Sequence, residues 1–311
     1  MVLHTGMRTD IPAFYTPWFL NRLRAGEVMV RNPFNPIQVT KYRLDPMVVD
    51  LIGFCTKNPA PMLPHMEMLA LFGQFWYVTI TPYGTDVEPH VPPWQDVADA
   101  FCRLSEIVGV HAIGWRYDPI FLDGPYTMAF HRSTFARMAE QLAGKTEMVV
   151  INFLTRYQKT RRNFPGVREV RRGERLEMGA WFAETARTYG MTLYACGGDE
   201  LAAVGADCGG CMTPRIYERA LGRQLHFPAY VSIRRECSCY LGADIGAYDT
   251  CPHLCRYCYA TVHPARVRRN VLRHNPRSPF LIGEAEPGDD IHTAHQESWL
   301  DCQEDIRAWW L

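Results

Sequence analysis

The chain carries no net charge, with 33 Lys and Arg balancing 33 Asp and Glu. A general polyanion binder is basic overall. This balance therefore argues against duplex nucleic acid and leaves only local basic patches for phosphate contacts. No apolar run approaches the roughly 18 residues needed to cross a bilayer. The opening residues MVLHTGMRTD lack the apolar stretch and small-residue cleavage site of a signal peptide. The expectation is a cytoplasmic protein without a membrane partner. Internal repeats and low-complexity tracts are also missing.

What is present is ordinary in bulk. Apolar residues make up 47% and charged residues 21%, which supports a sizeable core and excludes wholesale disorder. At about 150 residues per domain, 311 residues suggest two domains, or one large α/β domain with an appendage.

Residues 1–195 alternate β-branched apolar bursts with amphipathic stretches. Strands are expected near 2–3 and at 28–30, 48–54, 76–80, 110–115, 147–153 and 191–195. Helical spacing of apolar residues marks 62–72, 94–108, 133–143 and 175–189. Such alternation predicts βα units and a parallel sheet, and seven strands suggest a full or partial (β/α) TIM-type barrel. From about 205 the texture becomes rich in Gly and Cys, with helical periodicity only near 215–225. The expected organisation is a barrel-like domain at 1–204, a cysteine-rich segment at 205–275 packed on the barrel mouth, and an acidic tail at 276–311.

The expected strand ends carry polar groups, where barrel active sites are assembled. Arg8-Thr9-Asp10-Ile11-Pro12, Thr56-Lys57-Asn58-Pro59 and Trp115-Arg116-Tyr117-Asp118-Pro119 each follow or end a strand. Arg116 and Asp118 are the strongest candidates outside the cysteines for holding a ribose hydroxyl, a carboxylate or a substrate. Asp10, Lys57 and Asn58 come next. Turn chemistry is the plainer explanation of any single segment, since Asn-Pro and Asp-Pro favour turns.

The eleven cysteines are the anomaly, and eight of them lie between 196 and 258. In a reducing compartment such crowding points to metal binding or catalysis rather than disulfides. The sharpest motif is Cys251-Pro252-His253-Leu254-Cys255-Arg256-Tyr257-Cys258, a CxxxCxxC with an aromatic before the third cysteine. Three such thiolates can ligate three irons of a 4Fe–4S cluster. A fully ligated structural zinc or iron–sulfur knuckle is the competing reading, although zinc motifs usually pair CxxC units.

This spacing with this aromatic resembles that of radical S-adenosylmethionine (SAM) enzymes. The resemblance implies an open iron that chelates SAM, with Tyr257 near the adenine. It further implies reductive cleavage to a 5′-deoxyadenosyl radical that abstracts hydrogen from a small-molecule substrate. An electron donor such as flavodoxin or ferredoxin is implied as partner. The segments at 8–12, 56–59 and 115–120, with Asp244-Ile245-Gly246-Ala247-Tyr248-Asp249-Thr250 before the cysteines, resemble a bacterial family. It is catalogued as domain of unknown function 1848, and the likeness spans most of residues 5–300. Radical SAM enzymes carry their cysteine loop after the first strand, whereas this one follows the whole barrel pattern, so their positional rules do not transfer. Gly197-Gly198-Asp199-Glu200 is similar to the Gly-Gly-Glu segment that holds the methionine amino group, with an extra Asp.

A second group comprises Cys196, the CxxC of Cys208 and Cys211, and the CxC of Cys237 and Cys239. Any four could complete an auxiliary 4Fe–4S cluster or a Cys-only zinc site, or all could be buried thiols. An auxiliary cluster would pass electrons, bind substrate or donate sulfur for insertion. Cys55, Cys102 and Cys302 read as small buried apolar residues. Basic residues crowd 156–175 and 256–277, either as a solvated face or as a contact for a phosphate- or nucleotide-bearing substrate. Trp115, Tyr117 and Tyr257 could stack a base or simply pack. His253 reads as a surface-loop histidine. The functional alternative is a non-catalytic zinc or iron–sulfur protein acting as a redox or interaction module, and a metal-free barrel hydrolase ranks third.

Overall fold

The computed structural model describes residues 1–197, 199–228, 239–240 and 242–300. In chain order its strands are β1 (Val2–His4), β2 (Glu27–Arg31), β3 (Gln38–Arg43), β4 (Leu51–Thr56), β5 (Gly73–Thr79), β6 (Ile113–Ile120), β7 (Met148–Phe153), β8 (Thr192–Ala195), β9 (Ala243–Asp244) and β10 (Asp290–Thr293). The α-helices are α1 (Ile11–Phe14), α2 (Thr16–Ala25), α3 (Trp94–Val108), α4 (Met128–Gln141), α5 (Gln158–Asn163), α6 (Arg172–Thr188), α7 (Pro214–Leu221) and α8 (Pro264–Leu272). No described helix is long and apolar enough to cross a membrane.

Seven strands form one parallel sheet in the order β8-β7-β6-β5-β4-β1-β9. From β1 to β8 the chain winds in one direction, each strand beside its predecessor in the sheet, and β9 flanks β1 on the other side. The sequence explains this directly. Leu51, Ile52 and Phe54 in β4 and Val149, Val150 and Ile151 in β7 are buried in succession. Such runs suit strands covered on both faces rather than on one. The helices supply the cover. α3 buries Val97, Ala98, Phe101 and Leu104, and α6 buries Met178, Phe182 and Ala186, each a 3.6-residue stripe. Phe54 stacks on Trp76 at 3.8 Å and Trp115 on Phe135 at 4.7 Å. Fully burying side chains of this size contributes about 2–3 kcal/mol each.

The expected strand at 28–30 forms, but outside this sheet. β2 pairs antiparallel with β3, and β10 pairs parallel with β3 in a separate three-stranded sheet. Glu27 and Arg31 bracket β2, and only Val28 is buried, a pattern for one covered face rather than two. The seventh place in the main sheet is taken instead by β9, from the cysteine-rich segment. The sheets therefore do not stop at residue 204, and the tail is tied in through β10. The stretch at 62–72 is a 3₁₀ helix at Leu63–Leu69. α1 and α2 went unread, although Asp10 caps the first and a proline opens each.

Candidate functional site

The C-terminal ends of β1, β4, β5, β6, β7 and β8 face a common cavity of about 270 Å³. Alternation along β6 sorts its residues between two environments. Trp115 and Tyr117 point to the helices and pack on Phe135, so neither is free to stack a base as the sequence allowed. Arg116 and Asp118, two residues apart, turn the other way, line the cavity and pair with each other. Burial opposes the Arg116 charge, but Asp118 and the nearby thiols Cys211, Cys55 and Cys196 outweigh it and hold the group firmly protonated.

The Cys251–Cys258 loop forms part of the same cavity wall, and all three of its cysteines line it. Several contacts hold the loop there. The Tyr15 hydroxyl donates to the Thr250 carbonyl at 2.5 Å, the Arg256 amide donates to the Val87 carbonyl at 3.0 Å, and the His90 ring lies 2.7 Å from the Pro252 carbonyl. Leu254, at φ 56, turns the chain between the first two cysteines in a left-handed conformation that costs a non-glycine residue energy.

His253 is the main correction within this loop. It is 2% exposed, not on the surface, because the loop packs inward. Its Nε2 lies 3.0 Å from Asp10 Oδ2 and its Nδ1 3.1 Å from the His90 carbonyl. The Asp10 carboxylate also accepts from Thr56 Oγ1 at 2.7 Å, the Lys57 amide at 2.7 Å and the Ala13 amide at 3.1 Å. One carboxylate thus ties the β1 loop, the β4 end and the cysteine loop together.

A second network centres on Glu88, which sequence reasoning missed. Glu88 is 2% exposed and pairs with Lys57 Nζ at 2.9 Å. It also accepts from Thr81 Oγ1 at 2.7 Å and from the Tyr257 hydroxyl. Burial works against the Lys57 charge, yet Glu88 and Cys255 raise its pKa above the ordinary lysine value. Glu88 stands in the proline-rich stretch 82–93, which has no periodicity to advertise a buried acid. Cys55, expected to be a plain buried thiol, lines the cavity near Arg116.

Other expected site residues fall elsewhere. Asn58 caps its own turn, accepting from the Ala60 amide at 3.1 Å, and is not in the cavity lining. Glu200 pairs with Arg175 and, at 3.6 Å, with Arg172, away from the cavity. Gly197 has φ 84 but does not line the cavity, and Gly198 lies outside the described residues. Of the second cysteine group, Cys196, Cys211 and Cys239 line the cavity. Cys208 instead points its sulfur at the Ala206 carbonyl, 3.8 Å away. Cys237 and Cys302 lie outside the described residues. Three arginines of the basic stretch 156–175 are engaged by acids, Arg168 by Glu174 and Arg172 and Arg175 by Glu200. Arg266, Arg268 and Arg269 line a shallow groove along α8 with Arg162.

The donor set can be tested against an iron–sulfur cluster. Burial pushes the Cys251 and Cys255 thiols well above the ordinary range, and Asp10 and Glu88 respectively, with neighbouring thiols, add to the shift. Three thiolates would coexist here only with a cation that replaces their protons. Among the described residues no three His, Cys, Asp or Glu side chains form a group able to hold a metal ion. A cluster spreads its thiolates over several irons, and three soft donors on one cavity wall fit that demand chemically.

A profile of the family described as "Domain of unknown function (DUF1848)" matches residues 2–260. No curated protein and no solved structure matches the chain.

Proposed function

From the premise that this chain belongs to the DUF1848 family, a family without an assigned activity, we propose that it is a radical SAM enzyme acting on a small molecule. The observation that carries this reading is the convergence of Cys251, Cys255 and Cys258 on the cavity at the strand ends. The same cavity holds Asp10, Lys57, Arg116 and Asp118. When bound there, a 4Fe–4S cluster with SAM supplies the 5′-deoxyadenosyl radical that abstracts hydrogen.

The chain's own residues do the rest. Asp10 and His253 fix the cysteine loop against the sheet, and Glu88 orients Tyr257 and Lys57. Arg116 and Asp118 offer a cation and a carboxylate side by side, suited to the carboxylate, amine or ribose hydroxyls of SAM or substrate. The strand order, with β9 beside β1, supports a partial (β/α) barrel as the scaffold. The reading includes a cytoplasmic setting and an electron donor such as flavodoxin or ferredoxin.

The test is reductive cleavage of SAM by anaerobically reconstituted, dithionite-reduced protein. The expected result is 5′-deoxyadenosine from the wild type and none from Cys251→Ala. Equal turnover by the two proteins would sink the assignment, and no product from either would leave the non-catalytic metal-binding module in its place.

A further inference from the structure

The chain's overall neutrality conceals a local imbalance. Residues 148–168 and 250–283 together carry eleven Lys and Arg and no Asp or Glu. The fold lays these two stretches against each other. Lys159 Nζ donates to the Tyr259 carbonyl at 3.1 Å, Thr160 Oγ1 to the Tyr257 carbonyl at 3.3 Å, and Asn163 Nδ2 to the Thr261 carbonyl at 3.3 Å. Arg162 reaches the Val262 carbonyl, and Arg256 Nε donates to the Asn163 carbonyl at 3.4 Å. The α5 helix therefore rests on the segment that runs through and leaves Cys258, and its cations meet backbone carbonyls rather than carboxylates.

The groove along α8 continues this basic face. Its lining includes Arg162, Arg266, Arg268, Arg269 and Leu272 and no Phe, Tyr or Trp. Among the described residues Arg266 pairs with the buried Asp249 at 3.9 Å, whereas the exposed Arg268 and Arg269 have no ion pair. Leu272 is 86% exposed, and Val271 beside it 38%. Exposed aliphatic groups among arginines are the composition of a protein interface, with an apolar centre and a charged rim. Single-stranded nucleic acid favours aromatic platforms for its bases, which this groove lacks. A nine-residue helix with two exposed aliphatics offers little to a bilayer. Crowded like charges repel each other, and the carboxylates of an acidic partner would relieve that repulsion.

We propose that the α5–α8 face docks an acidic electron-carrier protein, which reduces the cluster on the Cys251 loop through the segment beneath α5. This role rests on the radical SAM reading above, which needs an electron for each reductive cleavage. In the step itself the partner loses one electron and the cluster gains it, and no bond forms or breaks. Complementary charge speeds the encounter and orients the carrier, and it makes docking sensitive to salt.

The test measures binding of labelled flavodoxin, an acidic one-electron carrier, to the full, anaerobically reconstituted chain by fluorescence anisotropy. Arg268→Glu with Arg269→Glu is expected to raise the Kd about tenfold or more. Arg103→Glu with Arg187→Glu changes the net charge equally, on exposed positions of α3 and α6, and should leave the Kd within about twofold. Raising NaCl from about 0.05 to 0.3 M should weaken wild-type binding toward that of the Arg268 and Arg269 variant. SAM cleavage gives a second readout. In that variant the rate driven by reduced flavodoxin should fall about tenfold, while the rate driven by dithionite stays unchanged and shows the chain intact. Equal Kd values for the two double variants, or a flavodoxin-driven rate indifferent to the reversal, would overturn the proposal. So would tighter binding of an RNA oligonucleotide or of phosphatidylserine vesicles than of flavodoxin. No cleavage by the wild type even with dithionite would instead overturn the radical reading, and electron delivery with it, whatever the face binds.

Discussion

Replacing His131 with Gln tests whether buried polar pairs around the sheet are as dry as their geometry implies. The His131 ring is fully buried, with Nδ1 2.7 Å from the Tyr117 hydroxyl and Nε2 2.9 Å from the Phe121 carbonyl. A carbonyl only accepts, so Nε2 carries the proton, and Nδ1 accepts from the tyrosine. A second proton has no place to go, and burial lowers the pKa from 6.5 to about 4. The unfolded chain takes up this proton below about pH 6.5, while the folded chain resists until about pH 4. Stability from this residue is therefore complete above pH 6.5 and is lost as pH falls toward 4. Between pH 7.5 and 5.0 the loss is about 2 kcal/mol. His4, also buried and lowered to about 4, contributes a similar amount by the same route. Gln keeps a donor for the Phe121 carbonyl but does not titrate. Urea unfolding at pH 7.5 and 5.0 should then show His131→Gln losing about 2 kcal/mol less than the wild type. Carboxylate titrations are common to both proteins and cancel. Identical pH slopes would refute the argument.

Asp10→Ala should destabilise the chain by about 3 kcal/mol or more in thermal or urea melts, since Thr56, the Lys57 amide and His253 lose a buried acceptor. A loss below about 1 kcal/mol would show that water replaces the carboxylate. Gly6→Ala would place a methyl 2.2 Å from the Cys55 carbonyl oxygen and 2.7 Å from its amide nitrogen. Because backbone must move, a loss of about 3 kcal/mol is expected, and a near-neutral melt would mean that the β1–β4 contact is looser than described. Glu174→Gln makes the opposite case. Arg168 holds Glu174 at a pKa of about 2, yet the pair lies at the surface, with Arg168 exposed and Glu174 half-buried, so the unfolding free energy should change by no more than about 1 kcal/mol.

Much of this protein is legible without coordinates. The parallel sheet follows from continuous apolar runs such as those at β4 and β7, whose burial on both faces needs covering helices. The stripe of Val97, Ala98, Phe101 and Leu104 marks α3 at its observed ends. The polar strand ends gave Asp10, Lys57, Arg116 and Asp118, because position past a strand is a local property of the chain. The CxxxCxxC spacing is local too, so the three cysteines could be named in advance.

Sequence alone marked β1, β4–β8, α3, α4, α6 and α7 and the chemistry available at the strand ends, while α1, α2, α5, α8, β3, β9 and β10 carry too little periodicity to be read locally. Tertiary structure decided which of those ends meet. Glu88 becomes the partner of Lys57 and Tyr257 only when a proline-rich loop folds over the strand ends, and no periodicity encodes that. His253 is buried because Asp10, 243 residues away, accepts from it. Cys211 parts from Cys208, three positions before it, and joins Cys196 and Cys239. Spacing along the chain bounds how far apart two side chains can be. Whether they share a cavity depends on the direction each backbone turn sends them, and packing sets that only once the whole sheet is in place.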